Sequence, residues 1–277
     1  MLRSILVGLD GSAYSTAAVE LGLRWAQGSD ALLVGLGIVD EPTIRAPEPV
    51  SIGGSAYKVQ RDDSRVAEAR QRVHQFLGHF SERCGEVGGA YRVQEDVGLP
   101  AERLLLHAPR YDLIVLGQHT HFHFATQEHA DETLHTVVKS CPRPVIAVPE
   151  ALRDGSITVV AYDGSLQAVR TLQAFQAVVP PGFQEVHVVC VQPHQTEATL
   201  CVEPAVEFLR RHDFVAHPHA VATAVAPAQV ILEQVQQAHA SLLVMGAYGQ
   251  PALREFFFGS VTRTMLEASP VPLFLYH

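Results

Sequence analysis

Apolar positions along the chain switch repeatedly between short continuous runs and helical spacing. Ser4–Leu9 (SILVGL) is an apolar run of β type that stops at Asp10-Gly11-Ser12, after which Ala17, Ala18, Leu21 and Trp25 fall on one face of a helix. A second run, Ala31–Val39, completes a strand-helix-strand unit, and such crossovers predict a parallel, doubly wound sheet. Residues 41–61 are polar and punctuated by Pro42, Pro47, Pro49 and Gly53-Gly54, the pattern of an excursion loop. An amphipathic helix over Asp62–Cys84 follows, with Val66, Ala69, Val73, Phe76, Leu77 and Phe80 inward. Strand Tyr91–Val97, a helix opened by Pro100, strand Leu113–Gly117, a helix over Asp131–Ser140 and strand Val145–Val148 close the first half.

The order then restarts. Ile157–Tyr162 runs into Asp163-Gly164-Ser165, and a helix through Val169, Leu172 and Phe175 leads to strand Val186–Val191. Helix Ala198–Arg211, strand Val215–Thr223, helix Pro227–His239, strand Leu242–Met245, a further helix and strand Pro272–Tyr276 complete it. Asp10-Gly11-Ser12 recurs 153 residues on, whereas Pro142-x-Pro144 recurs 128 residues on as Pro270-x-Pro272. The first copy is therefore longer by 25 residues, close to the size of its 41–61 excursion, and the chain reads as an internal duplication split into residues 1–150 and 151–277.

Composition narrows the function classes. A length of 277 residues suits about two domains, and 47% apolar residues suffice for their cores. There is no run of 18 apolar residues and no signal-peptide pattern, so a soluble, cytoplasmic protein without a membrane partner is expected. Cys84, Cys141, Cys190 and Cys201 show no CxxC spacing and are expected as reduced thiols. A net charge of −9 without a dense Lys/Arg block argues against nucleic acid, and leaves backbone dipoles to hold any anionic ligand.

The stretch with the clearest chemistry is Leu242–Thr264. An apolar strand ends at Gly246, Gly249 follows, and nine residues later Gly259-Ser260 stands in front of a helical pattern, with Ser260 at an N-cap position before Val261, Met265 and Leu266. Glycine lets backbone approach a ligand, and a helix N-terminus offers unpaired N–H groups and partial positive charge, a combination that suits phosphates. No Walker motif, no Gly-x-Gly-x2-Gly after the first strand and no Gly-x-Ser-x-Gly elbow occurs, so no catalytic residue is assigned.

Gly-x2-Gly-x9-Gly-Ser, together with Asp-Gly-Ser after each half's first strand and Pro-x-Pro before its last, resembles the universal stress protein family in its tandem form, over essentially the whole chain. The resemblance implies an α/β fold of two tandem doubly wound domains, each a five-stranded parallel sheet in the order 3-2-1-4-5, packed on each other through their fifth strands. It implies ATP, with or without Mg²⁺, outside the carboxyl ends of strands one and four. Residue by residue, Ala161, Tyr162, Asp163 and Val191 match the adenine and ribose side. Met245 precedes the loop, and Gly246, Gly249, Gly259, Ser260 and Val261 match the positions that hold ribose and phosphates.

The first half departs from this pattern. Asp10 is kept, but Gly117-Gln118-His119-Thr120 follows the fourth strand and Asp131-Glu132 stands where the second half has Gly259-Ser260. Carboxylates there repel phosphate while capping their own helix, so the first domain is expected to keep the fold without ATP. The function implied is an ATP-binding regulatory protein of the stress response, as a monomer or homodimer with an unidentified protein partner and at most slow ATP hydrolysis. Competing readings are a nucleotide-independent interaction scaffold and a metal sensor through the His119–His129 loop. In that loop His119, His121 and His123 alternate and could offer imidazoles to zinc or nickel if the segment is extended.

Overall fold

A computed structural model describes residues 1–49, 54–123, 131–247 and 260–277. The first half comprises β1 (Ser4–Leu9), α1 (Ala13–Ser29), β2 (Leu32–Val39), α2 (Glu41–Ile44), α3 (Ser55–Val87), β3 (Tyr91–Val97), α4 (Pro100–His107), β4 (Leu113–Gly117), α5 (Thr133–Ser140) and β5 (Val145–Val148). The second comprises β6 (Ile157–Ala161), α6 (Leu166–Val178), β7 (Glu185–Gln192), α7 (Gln195–Arg211), β8 (Val215–Ala222), α8 (Pro227–Gln237), β9 (Leu242–Gly246), α9 (Ser260–Ala268) and β10 (Leu273–Tyr276).

Within each half every pairing is parallel and the order is 3-2-1-4-5, as expected. The fifth strands then pair antiparallel, Ile146 opposite Phe274, so that the two halves share one ten-stranded sheet, β3-β2-β1-β4-β5-β10-β9-β6-β7-β8. Each β5-type edge is thereby covered by its counterpart, which removes the exposed backbone groups that an unpaired edge would present. Apolar residues fill both faces. Ile5, Val7, Val160 and Phe274 belong to the cluster under α1, α3, α6 and α7. Leu6, Val159, Leu243 and Leu273 belong to the one under α4, α5, α8 and α9. Burial on both sides explains why β1, β4, β5, β9 and β10 read as continuous apolar runs rather than alternating ones, whereas the edge strands β3 and β8 include polar residues and are mostly exposed or half-buried. Across the junction Trp25 of α1, 1% exposed, meets Phe183 of the second half at 5.7 Å between rings.

The 41–61 excursion is more regular than its composition predicts. Asp40 caps the short α2 by accepting from the Thr43 amide at 3.2 Å, and α3 begins at Ser55, seven residues before the expected start. Those added turns lack an apolar stripe. They are held by charge instead, with Lys58 and Arg61 both on the carboxylate of Asp62, which is 3% exposed. Opposite charges four apart support a helix where periodicity gives no signal.

Candidate functional site

The reversal of strand order in the second half lies between β6 and β9, and of the sequence-predicted residues Ala161, Tyr162, Asp163, Met245 and Gly246 stand at the carboxyl ends of these two strands. Ala161 is the register partner of Met245, the Tyr162 amide donates to the Val189 carbonyl at 2.9 Å, and Val191 is the last but one residue of the same strand, β7. Tyr162 and Met245 are 8% and 6% exposed, and Ala161 and Val191 are half-buried. Burial pushes the Tyr162 hydroxyl up from its ordinary value, with the Asp163 charge adding to it.

Asp163, the next residue, is exposed. Its Oδ1 accepts from the Ser165 amide at 2.9 Å, an Asx turn that Gly164 makes possible with φ of 76°. Among the described residues its Oδ2 has no partner. Ser165 caps α6 by accepting from the Ala168 amide at 3.1 Å. A Cβ on Gly246 would lie 2.8 Å from the Ala168 nitrogen and 2.9 Å from the Gln167 carbonyl carbon, so this glycine is required first by the first turn of α6 rather than by a ligand. Ser260 belongs to α9 and is exposed, and Val261 packs partly buried against the cluster under α4, α5, α8 and α9. Gly249 and Gly259 lie outside the described residues, as does His129.

In the first half the same turn is built and then closed. Asp10 Oδ1 accepts from the Ser12 amide at 2.9 Å, and Oδ2 accepts from the His121 amide at 2.7 Å, leaving the carboxylate 5% exposed. Burial raises its pKa above the ordinary 3.8 despite those bonds. Phe122, 1% exposed, inserts against Gly8 of β1 and joins the core. Asp131 ties the loop down by accepting from the amides of Phe122 at 2.7 Å and Thr133 at 2.8 Å. His123 bonds Asp40 through Nδ1 and lies 3.6 Å from Asp131 through Nε2, and both carboxylates raise its pKa, the Asp40 bond foremost. The chain thus gathers three acids, Asp10, Asp40 and Asp131, where the second half has Asp163, Pro193 and, by the same offsets, Gly259.

The three loop histidines do not act as a group. His119 stands edge-on to Tyr14 at 4.9 Å, His121 contributes its amide to Asp10, and His123 takes the two acids. Among the described residues the single cluster of three converging ligand atoms lies elsewhere, at Glu185, His187 and His217.

The family model of the universal stress proteins matches residues 1–149 and again 157–277. The chain belongs to the universal stress protein family. It is 24% identical to a universal stress protein of Synechocystis sp. over 289 aligned positions that take in 99% of this chain and all of the relative. The solved universal stress protein of Archaeoglobus fulgidus DSM 4304 is 18% identical, with a TM-score of 0.72, covering 98% of this chain and 97% of its own. A shorter universal stress protein, solved in complex with cAMP, is 20% identical over 54% of this chain and 98% of its own, with a TM-score of 0.35; its ligand is a property of that protein. No described helix is long and apolar enough to cross a membrane.

Two features of this family member were not anticipated from the sequence. Phe122 carries no signal in a loop of alternating histidines, because a plug is defined by what it fills. The other is a correction. Cys190 of β7 and Cys201 of α7 are expected as reduced thiols, but they are joined in a disulfide, their Cα atoms 6.5 Å apart. Eleven residues of separation say nothing by themselves; the β7–α7 crossover brings the two Cα atoms within bridging range. The Cys201 sulfur lies 3.8 Å from the Tyr162 carbonyl and the same distance from where a Cβ of Gly164 would be, directly beside the candidate site. Cys84 and Cys141 are free and buried, and burial pushes both thiols up to about 11.

Proposed function

We propose that the second half binds ATP, with or without Mg²⁺, and that the chain is a cytoplasmic regulatory protein of the stress response rather than an enzyme. The observation that carries this reading is the state of the two aspartates. Asp163 is exposed with one oxygen unengaged among the described residues, whereas both oxygens of Asp10 are consumed by the chain itself. In this reading the adenine lies on Ala161, Tyr162, Val191 and Met245, Asp163 accepts from the ribose, and the segment from Gly246 to Ser260 and Val261 receives the phosphates, with Gly249 and Gly259 supplying backbone N–H groups. The first half would repel the same ligand, since unit charges held within a few ångströms in a partly dry site interact by several kcal/mol.

Calorimetric titration of the whole chain with ATP tests it. One site per chain is expected. Asp163→Ala should weaken binding about 10- to 100-fold, the worth of a hydrogen bond to a charged group at about 1.5–3 kcal/mol, and Asp10→Ala should leave it unchanged. Phosphate release no faster than in Asp163→Ala supports a non-enzymatic role. Two equivalent sites would overturn the asymmetry, and no binding at millimolar ATP would favour a nucleotide-independent scaffold.

A further inference from the structure

The strongest unassigned chemistry is at the opposite end of the second half from Asp163, where β7 and the edge strand β8 begin. Glu185 and His187 are two apart on β7 and share a face, and His217 is the register partner of His187 on β8. The ligand atoms of these three all lie within 4.8 Å of one another. His219, two residues beyond His217, bonds His187 from the side, its Nε2 2.8 Å from His187 Nδ1, with the two rings stacked at 4.9 Å.

That contact leaves the other nitrogen of His187 in an awkward position. His187 Nε2 is buried and has no hydrogen-bond partner among the described residues, although Glu185 Oε1 is 3.5 Å away. If Nε2 carries the proton, its N–H finds no acceptor in bonding geometry. If instead Nδ1–H donates to His219, Nε2 holds a lone pair beside the Glu185 carboxylate with no donor in bonding geometry among the described residues. A buried polar atom without a partner is costly, and a cation among the three groups removes the cost. Two imidazoles and one carboxylate are a donor set for a borderline divalent metal such as zinc, with a fourth position left to water. Glu185 and His217 are exposed, so that position opens to solvent at the sheet edge.

The duplicated half serves as an internal control. By the strand registers, Leu32, Val34 and Arg92 stand where the second half has Glu185, His187 and His217. Two aliphatic side chains and a guanidinium bind no metal, so the cluster is not a consequence of the fold.

We propose that Glu185, His187 and His217 form a binding site for a divalent transition metal of the zinc class, with His219 as the residue that fixes the His187 tautomer. The site is separate from the nucleotide site: His187 is four residues, about 13 Å along the strand, from Val191. It stands whether or not ATP binds. The test is zinc titration of the chelator-treated whole chain, with cobalt(II) as a spectroscopic substitute. One zinc per chain and the intense visible bands of tetrahedral cobalt are expected. Both should disappear in His187→Ala and in His217→Ala, His219→Ala should lose about 10- to 100-fold in affinity, as residues behind a ligand typically do, and His123→Ala should lose none. His217 is exposed, so its replacement leaves the core intact, and an unchanged far-UV spectrum checks this. Absence of stoichiometric zinc, or equal affinity in His217→Ala, overturns the proposal. Loss of binding in His123→Ala alone would place the metal in the first half and overturn it as well.

Discussion

At the end of their first strands the two halves repeat one another closely. Asp10 and Asp163 each accept from the amide two residues on at 2.9 Å, Gly11 and Gly164 share a φ of 76°, and Ser12 and Ser165 each cap the following helix. Around that shared turn everything else differs. A Cβ on Gly11 would collide with the Phe76 ring from α3, while Gly164 faces Cys201 from α7. The first half brings Asp40, His123, Phe122 and Asp131 onto its turn. The strand-turn-helix unit is set by a few adjacent residues, whereas an open or closed pocket is set by side chains scattered over more than a hundred positions. A duplicated fold can therefore keep its frame while the surroundings of the turn change through residues remote from the motif.

The largest way to break this comparison is to remove the plug. Phe122 is 1% exposed and wedged against β1, so Phe122→Ala leaves a cavity that the bonded loop around it cannot collapse. A loss of about 3–5 kcal/mol is expected from denaturant unfolding, in line with large-to-small changes in cores. A loss under about 1 kcal/mol would mean that Phe122 fills nothing of consequence, and the account of the first half would fail.

What could be read in advance follows the same division. Strand and helix order and the duplication were legible because apolar periodicity and the Asp-Gly-Ser and Pro-x-Pro repeats are local signals, whereas the 3-2-1-4-5 order of the strands was implied only by the resemblance to the family. The first seven residues of α3 were not, since Ser55–Arg61 are held by ion pairs to Asp62 and Glu48 rather than by an apolar stripe. Asp131 was legible as a change of charge at a helix start; that it would accept from the Phe122 amide was not, because the partner arrives from a loop. Gly246 illustrates a further limit: the sequence marks that a side chain is excluded there, but the excluding atoms belong to α6 rather than to a ligand.

A second effect, smaller than the first, concerns how each half holds its long helix to its second strand. In the first half Gly37 of β2 receives Val73 and Leu77 of α3; by the repeat offset Cys190 stands in place of Gly37 and is bridged to Cys201 of α7. Cross-linking across a separation of 11 residues is worth about 2–3 kcal/mol by the loop-entropy account. Cys201→Ser should cost that much, with the loss seen equally in wild type after reduction. Denatured, unreduced protein should show the two thiols of Cys84 and Cys141, and reduction should reveal the other two. Four reactive thiols before reduction would refute the bridge and make the two halves more alike than described.

The smallest expected effect is a pH dependence confined to the closed half. His123 sits between Asp40 and Asp131, and the Asp40 bond, with both acidic charges behind it, raises its pKa above 6.5 against an opposing effect of burial. The folded chain therefore holds this proton more tightly than the unfolded one. The resulting stabilisation is fully present below pH 6.5 and fades as pH rises through the folded value. Removing the imidazole removes the fade. Denaturant unfolding at about pH 6 and about pH 9 should show a larger drop in stability for wild type than for His123→Gln, the remaining slope being common to both proteins. Because the ring closes the loop over Asp10, the same rise in pH should also speed amide exchange at His121 and Phe122 relative to Ser165 and Ala168 in the open half, after correction for the intrinsic rate. An identical slope in His123→Gln would show that the loop is held by Phe122 and the Asp131 caps alone, and that the three acids of the first half tolerate one another without a proton among them.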